Sequence, residues 1–114
     1  MKIPNKIKIG AYIYKIKFSE DVANEGDCYG STHHSTENIF IAPKYSQAKK
    51  ETTFIHELLH AVFEVAGLNH RFDTKNKEAL PTCEDVVRET ATVLYQVIKD
   101  NPKIFKWNTT HKKI

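Results

Sequence analysis

The sequence predicts an α+β fold in which a small sheet of about three strands packs on two long helices. Residues 7–42 contain segments that alternate with the period of two typical of half-buried strands. From residue 46 onward, apolar side chains recur at intervals of three and four, the period of an amphipathic helix. With 114 residues, of which 40% are hydrophobic, the chain suits a single domain spanning residues 1–114.

Three segments account for the predicted strands. Residues 7–9 and 12–18 alternate apolar residues with lysines, and Gly10-Ala11 between them offers a turn, so they predict a β-hairpin. Residues 19–31 carry two glycines and several acidic residues and predict a loop. Residues 37–42, ENIFIA, predict a short third strand.

The longest helix is predicted between Ser46 and Gly67. Ser46 is a favourable N-cap residue, because its hydroxyl can accept a hydrogen bond from a free backbone N–H of the first turn. Gly67 suits the left-handed conformation in which many helices end. The apolar side chains between them recur at helical spacing, at Phe54, Ile55, Leu58, Leu59, Val62, Phe63 and Ala66.

A second long helix is predicted to begin at Thr82, where Thr82 and Asp85 match a capping box, and to end at Asn101-Pro102. Before it, residues 68–80 are polar and predict an irregular segment with about one helical turn. The apolar face of this helix consists of Val87, Ala91, Leu94, Tyr95 and Ile98, and the tail that follows can dock through Ile104, Phe105 and Trp107.

Charge and hydropathy argue against two classes of protein. The formal net charge is only +3 and the lysines are scattered, whereas a nucleic-acid-binding protein would show a denser basic stripe. No apolar run reaches about 18 residues, so no membrane span is expected. The first ten residues, MKIPNKIKIG, lack the apolar middle of a signal peptide. We therefore expect a cytoplasmic protein, and a monomer is the expected state.

The two cysteines, Cys28 and Cys83, lie far apart and form no C-x-x-C pair. Neither a zinc knuckle nor a thioredoxin-like site is therefore predicted. Reduced thiols are the first interpretation, and a single disulfide is the alternative if the chain is exported.

The chemistry of the chain is concentrated in residues 56–60, HELLH, which match the pattern HExxH within the first helix. His56 and His60 lie one helical turn apart, so both imidazoles can bind one metal ion, and neutral imidazoles suit Zn²⁺. Glu57 is offset around the helix, where its carboxylate can act as general base toward the water that the metal activates. If the match were coincidental, these polar groups would be buried without partners among leucines, at a desolvation cost of several kcal/mol. A bound metal would remove this cost.

A protein zinc site of this kind needs a third ligand, and two candidates are open. Glu84 lies in the first turn of the second helix, at steps of three and four from its apolar face, so it can point at the first helix. His70 lies just after Gly67, where the first helix is predicted to end, and is the alternative third ligand. Glu89 lies on the other side of the second helix and is a weaker candidate.

A group that stabilises the oxyanion of a transition state is less clearly marked. His33 and His34, just before the third strand, are candidates, although exposed turn residues are the simpler interpretation. Tyr29, Tyr45 and His111 are equally open for this role.

The combination of a short strand, FIHELLHAVFEVAGL and a later helical glutamate resembles the zincin metallopeptidases. Within them the chain looks like a gluzincin, and it is most similar to the small ImmA/IrrE-type proteins encoded by phages and prophages. This resemblance implies His56, His60 and Glu84 as zinc ligands and Glu57 as general base. It also implies that residues 37–42 form the edge strand that lines the cleft and holds an extended peptide.

The predicted function is therefore that of a zinc-dependent metallopeptidase acting on a peptide or protein substrate. The resemblance places it in the cytoplasm of a bacterium or a phage-infected host cell. The alternative is a non-catalytic, zinc-containing module of phage origin that binds a peptide or protein without cutting it.

Overall fold

The computed structural model describes residues 2–23, 29–71 and 82–103, and it has the predicted α+β architecture. Four strands form one sheet, the first long helix packs on this sheet, and the second long helix packs against the first. The elements in chain order are β1 (Lys6–Ile9), β2 (Tyr12–Phe18), the short helix α1 (Glu20–Ala23), β3 (Gly30–His33), β4 (Asn38–Ile41), α2 (Gln47–Val65), a 3₁₀ helix (Leu68–Arg71) and α3 (Cys83–Asp100).

The sheet is mixed, with the strand order β1-β2-β4-β3. The predicted hairpin is confirmed, since β1 and β2 pair antiparallel and Gly10 between them has a φ of 59°. That left-handed conformation is accessible to glycine at little cost. Strand β2 pairs parallel with β4, and β4 pairs antiparallel with β3.

The sheet holds one strand more than the predicted count of about three. Residues 19–31 were predicted as a loop, but they contain α1 and the first residues of β3. The sequence of β3, GSTH, has no apolar alternation, so only its pairing with β4 and its packing on α2 make it a strand.

The predicted third strand, residues 37–42, is confirmed as β4 (Asn38–Ile41), but its expected place at the edge of the cleft is wrong. Strand β4 lies inside the sheet, between β2 and β3, because a parallel and an antiparallel neighbour use both of its backbone edges. The edge of the sheet on this side is β3.

Both predicted ends of α2 are confirmed. The Ser46 hydroxyl accepts a hydrogen bond from the backbone N–H of Lys49 at 3.2 Å. At the other end, Ala66 is the C-cap, and Gly67 follows with a φ of 75°. One long helix therefore runs without interruption past the HELLH segment.

Helix α3 begins with the predicted capping box, in which Thr82 and Asp85 exchange side-chain to backbone hydrogen bonds. It packs against α2, and the hydroxyl of Tyr95 donates a 2.8 Å hydrogen bond to the buried Glu51 carboxylate of α2. The core that joins the sheet to the helices consists of Ile9, Tyr14, Ile16, Ile39, Ile41, Phe54, Ile55, Ala61 and Ala91.

In the described part of the chain, no helix is both long and apolar enough to cross a bilayer. The expected helical turn after Gly67 is confirmed by the 3₁₀ helix. The predictions for residues 72–80 and for the apolar tail at Ile104, Phe105 and Trp107 lie outside the described residues.

Candidate metal centre

Helix α2 presents two histidines on the side that faces α3. His56 and His60 are one turn apart, and their ring centroids lie 5.0 Å from each other. Their side chains remain 22% and 21% exposed, so both imidazoles border solvent instead of being sealed in the core. The two rings can therefore share one ligand that enters from the cleft.

Glu84, in the first turn of α3, lies opposite both imidazoles. Its Oε1 is 2.8 Å from Nε2 of His56, and its Oε2 is 2.7 Å from Nε2 of His60. The capping box at Thr82 fixes where α3 begins, so the carboxylate two residues later projects toward α2. The structure thus brings together three of the residues singled out as metal ligands.

The other candidates for the third ligand are placed differently. The backbone of His70 belongs to the 3₁₀ helix, and its side chain lies outside the described part of the chain. Glu89 is exposed on α3, and no hydrogen bond or ion pair joins it to the described residues of the site.

The donor set fits a zinc ion. The two imidazole nitrogens and the carboxylate oxygen lie within 4.8 Å of one another. Three ligands at about 2.0–2.1 Å from one Zn²⁺ span up to roughly 4 Å, so a small adjustment of side chains brings all three to a common ion. Two histidines and one glutamate form the type of donor set found in catalytic zinc sites, and here the three residues line a cleft.

Glu57 lies in the same cleft but is held by different contacts. Its residue is only 7% exposed, and the Thr32 hydroxyl donates a 2.6 Å hydrogen bond to its Oε1. The same hydroxyl lies 3.1 Å from the Glu57 carbonyl oxygen. Among the described residues, no hydrogen-bond donor contacts Oε2 of Glu57. One carboxylate oxygen is thus fixed by β3, and the other can accept a proton.

A glycine in β3 allows this close contact between β3 and α2. A Cβ atom added to Gly30 would lie 2.6 Å from Cγ2 of Thr53 and 3.2 Å from Cγ of Glu57. It would also lie 2.9 Å from the carbonyl oxygen of Phe40. No side chain larger than hydrogen fits there without displacing the strand, so Gly30 sets the distance between Thr32 and Glu57.

The site opens into a cleft of about 570 Å³ between the start of β3, α2 and α3. Its walls contain His56, Glu57, His60 and Glu84. The remaining lining residues are Tyr29, Gly30, Lys49, Thr52, Thr53, Arg88, Ala91 and Thr92. A cleft of this size accepts a short stretch of extended chain.

Of the residues considered for an oxyanion-stabilising role, only Tyr29 lines this cleft in the described part of the chain. Tyr45 packs edge-on against Tyr29, with ring centroids 4.8 Å apart. The imidazole of His33 lies 3.2 Å from the Ser31 hydroxyl. His34 contacts the Tyr14 hydroxyl at 3.3 Å in a separate depression, and His111 lies outside the described residues.

The neighbouring thiol is not part of the donor set. Cys83 is a free cysteine, and its Sγ donates to Oδ1 of Asn69 at 3.2 Å. Burial raises the pKa of the Cys83 thiol, and the charge of Glu84 raises it further, so the neutral form is favoured. Cys28 lies outside the described residues.

Sequence reasoning missed several groups of the site, among them Thr32, Gly30 and Lys49. Lys49 precedes His56 by seven residues, which is two helical turns, so a helical projection of α2 would have placed it on the same side. Thr32 and Gly30 belong to β3, a strand that was not predicted, and no local pattern marks them.

Comparison with protein-family models, with curated proteins and with solved structures finds no match to this chain.

Proposed function

We propose that this chain is a zinc-dependent metallopeptidase, in which His56, His60 and Glu84 hold the metal and Glu57 is the general base. One observation carries the proposal: two imidazole nitrogens from one helix lie 2.8 and 2.7 Å from a single carboxylate of another. A second carboxylate, that of Glu57, lines the same cleft and has one oxygen free to accept a proton.

A bound zinc ion would supply a Lewis acid, which acidifies water and polarises a carbonyl group. Glu57 would accept the proton of the attacking water on Oε2, while the Thr32 hydroxyl keeps the carboxylate oriented through Oε1. The same carboxylate would then pass that proton to the leaving amine, so the base is regenerated. The low exposure of Glu57, 7%, keeps its position fixed during this transfer.

The edge of the sheet supports a peptide as the substrate. Within the described sheet, β3 pairs only with β4, so its other backbone edge has no strand partner there, and its first residue, Gly30, lines the cleft. An extended peptide can add there as a further strand, using backbone hydrogen bonds that do not depend on its sequence. This role belongs to β3 and not to the strand at residues 38–41. We place the activity in the cytoplasm, where a free thiol such as Cys83 persists.

Metal content and hydrolysis test the proposal together. The chain is purified without chelator, its zinc is measured by elemental analysis, and cleavage of a peptide library is followed by mass spectrometry. Glu57→Gln should retain one zinc per chain and lose hydrolysis by about 10²-fold or more, because a positioned base contributes that much. Glu89→Gln, an exposed change of the same kind on α3, is the control. A chain that binds no zinc, or a Glu57→Gln variant with unchanged hydrolysis, would refute the mechanism.

The same candidate ligands and cleft also fit a second function, a zinc-containing module that binds a peptide without cutting it. Binding alone would use the metal ligands and the walls of the cleft, and it would need no proton transfer by Glu57. Zinc and peptide binding in the wild-type chain, with no cleavage of any library member, would assign this second function.

A further inference from the structure

A lysine marks one end of the cleft, away from the candidate metal ligands. Lys49 lies on the same side of α2 as Thr53 and His56, at steps of four and three residues. The seven residues between Lys49 and His56 correspond to about 10 Å along the helix axis. The lysine is therefore separate from the candidate metal ligands along α2, and as part of the cleft wall it can contact a bound peptide.

One aromatic ring contacts the Lys49 ammonium group. Its Nζ lies 3.8 Å from the ring centroid of Tyr29, and Tyr29 packs edge-on against Tyr45. A cation on a ring face is attracted to it, but a ring occupies only one side of an ammonium group that has three donors. The ring therefore leaves donors of the Lys49 ammonium group available to a ligand.

No carboxylate of residues 2–23, 29–71 and 82–103 forms an ion pair with Lys49. The other cationic side chain that lines the cleft, Arg88, is paired with Asp85 at 2.8 Å. The two carboxylates in the cleft are also engaged, Glu57 by Thr32 and Glu84 by the histidines. Lys49 is thus a positive charge in the cleft wall that these acids do not neutralise.

The open edge of β3 runs from this lysine to the general base. Tyr29, on which Lys49 rests, directly precedes Gly30 at the start of β3, and Thr32 further along contacts Glu57. A peptide that adds to this edge would pass both groups. Tyr29 and Thr32 are three residues apart along this segment, so an extended peptide that pairs with it would pass the two groups about three residues apart.

We propose that Lys49 and the Tyr29 ring form a subsite for an acidic side chain, about three residues from the bond that is cut. The inference rests on the proposed function and specifies its substrate class: extended peptides that carry Asp or Glu at this one position. The ammonium group would donate to the carboxylate, and the ring would pack against its methylene groups.

A set of nine-residue peptides, each carrying Glu or its isostere Gln at one position, tests the subsite. In the zinc-loaded wild-type chain, kcat/KM should favour Glu over Gln by about fivefold at one position three residues from the cut, as expected for a partly exposed ion pair. The ratio should fall to about one in Lys49→Met and below one in Lys49→Glu. Lys50→Met is the matched control, because Lys50 is the next residue of α2 and its Nζ lies over Phe18 outside the cleft.

The same Glu-to-Gln ratio is measured as binding, by fluorescence anisotropy with the zinc-loaded Glu57→Gln variant, which needs no hydrolysis. A ratio near one at every position, or equal effects of Lys49→Met and Lys50→Met, overturns the subsite. Binding of a single-stranded oligonucleotide that is weakened equally by both substitutions would also overturn it, since it would identify a general basic surface.

Failure of the subsite and failure of the proposed function give different results. Hydrolysis without a preference for Glu leaves the peptidase and removes the subsite. Preferential binding of the Glu peptides without any hydrolysis leaves the subsite and removes the peptidase. A chain that neither binds nor cuts these peptides removes both.

Discussion

Replacing Thr32 with valine removes the hydrogen bond that holds the general base and leaves the shape of the side chain nearly unchanged. The Thr32 hydroxyl contacts Oε1 of Glu57 at 2.6 Å and the Glu57 carbonyl oxygen at 3.1 Å. A hydroxyl has a single proton, so the shorter contact, to the charged group, dominates. Because the Glu57 residue is 7% exposed, water replaces this bond poorly. We expect the free energy of unfolding to fall by about 1.5–3 kcal/mol.

Guanidinium unfolding of the zinc-loaded chain, followed by circular dichroism, measures this loss as a shift of the midpoint at constant slope. Thr92→Val is the matched control, because its hydroxyl donates to the Arg88 carbonyl oxygen at 3.0 Å on an exposed side of α3. That change should alter stability by about 0.5 kcal/mol or less. Hydrolysis should also fall in Thr32→Val, since the base is no longer oriented.

A double-mutant cycle separates the charge of Glu57 from the rest of the effect. In a Glu57→Gln background the acceptor oxygen stays but the charge is gone, so Thr32→Val should destabilise by about 1 kcal/mol less than in the wild-type chain. Equal losses in Thr32→Val and Thr92→Val, or a cycle with no coupling, would show that Thr32 does not hold the base.

Three further predictions concern the metal ligands, the packing of β3 and the start of α3. Glu84→Gln should weaken zinc binding by at least about tenfold in calorimetry, since a neutral amide replaces a charged ligand, whereas Glu89→Gln should leave it unchanged. Gly30→Ala should lower the free energy of unfolding by about 1–3 kcal/mol in denaturant, because its Cβ would lie 2.6 Å from Cγ2 of Thr53, and normal stability would contradict the close packing. Hydrogen bonds with the N-cap residue Thr82 hold the pKa of Asp85 below its ordinary value of 3.8, and the bond with the Thr82 backbone has the largest effect. The stability that they add is therefore complete above that value and is lost as the pH falls through the lower folded pKa. Asp85→Asn should accordingly destabilise the chain near neutral pH and not at about pH 2, and a loss that is the same at both pH values in urea unfolding would contradict this.

The part of the site that lies on α2 could be predicted because it depends only on helical geometry. A spacing of four residues places His56 and His60 one turn apart in any α-helix. Glu84 could be anticipated for a related reason, since the capping box fixes the start of α3 and its apolar residues fix the side that faces α2. These signals are local, so each can be recognised in the sequence without knowledge of the tertiary fold.

The missed parts of the site depend on contacts between distant segments. Strand β3 exists because β4 and α2 surround it, and its four residues, GSTH, have no pattern of their own. The contact of Thr32 with Glu57 spans 25 residues. Residues 37–42 were wrongly predicted as an edge strand for the same reason. The sequence of a short strand does not show how many other strands will pair with it.

The two outer strands of the sheet differ in charge, and this difference affects self-association. Strand β1, KIKI, carries the exposed Lys6 and Lys8, and charged side chains on an outer strand oppose pairing with a second molecule. Strand β3 has neither lysine nor carboxylate. Two copies that meet at high concentration should therefore join through β3, the same surface that would receive a peptide. A bound peptide would then also keep the molecules apart.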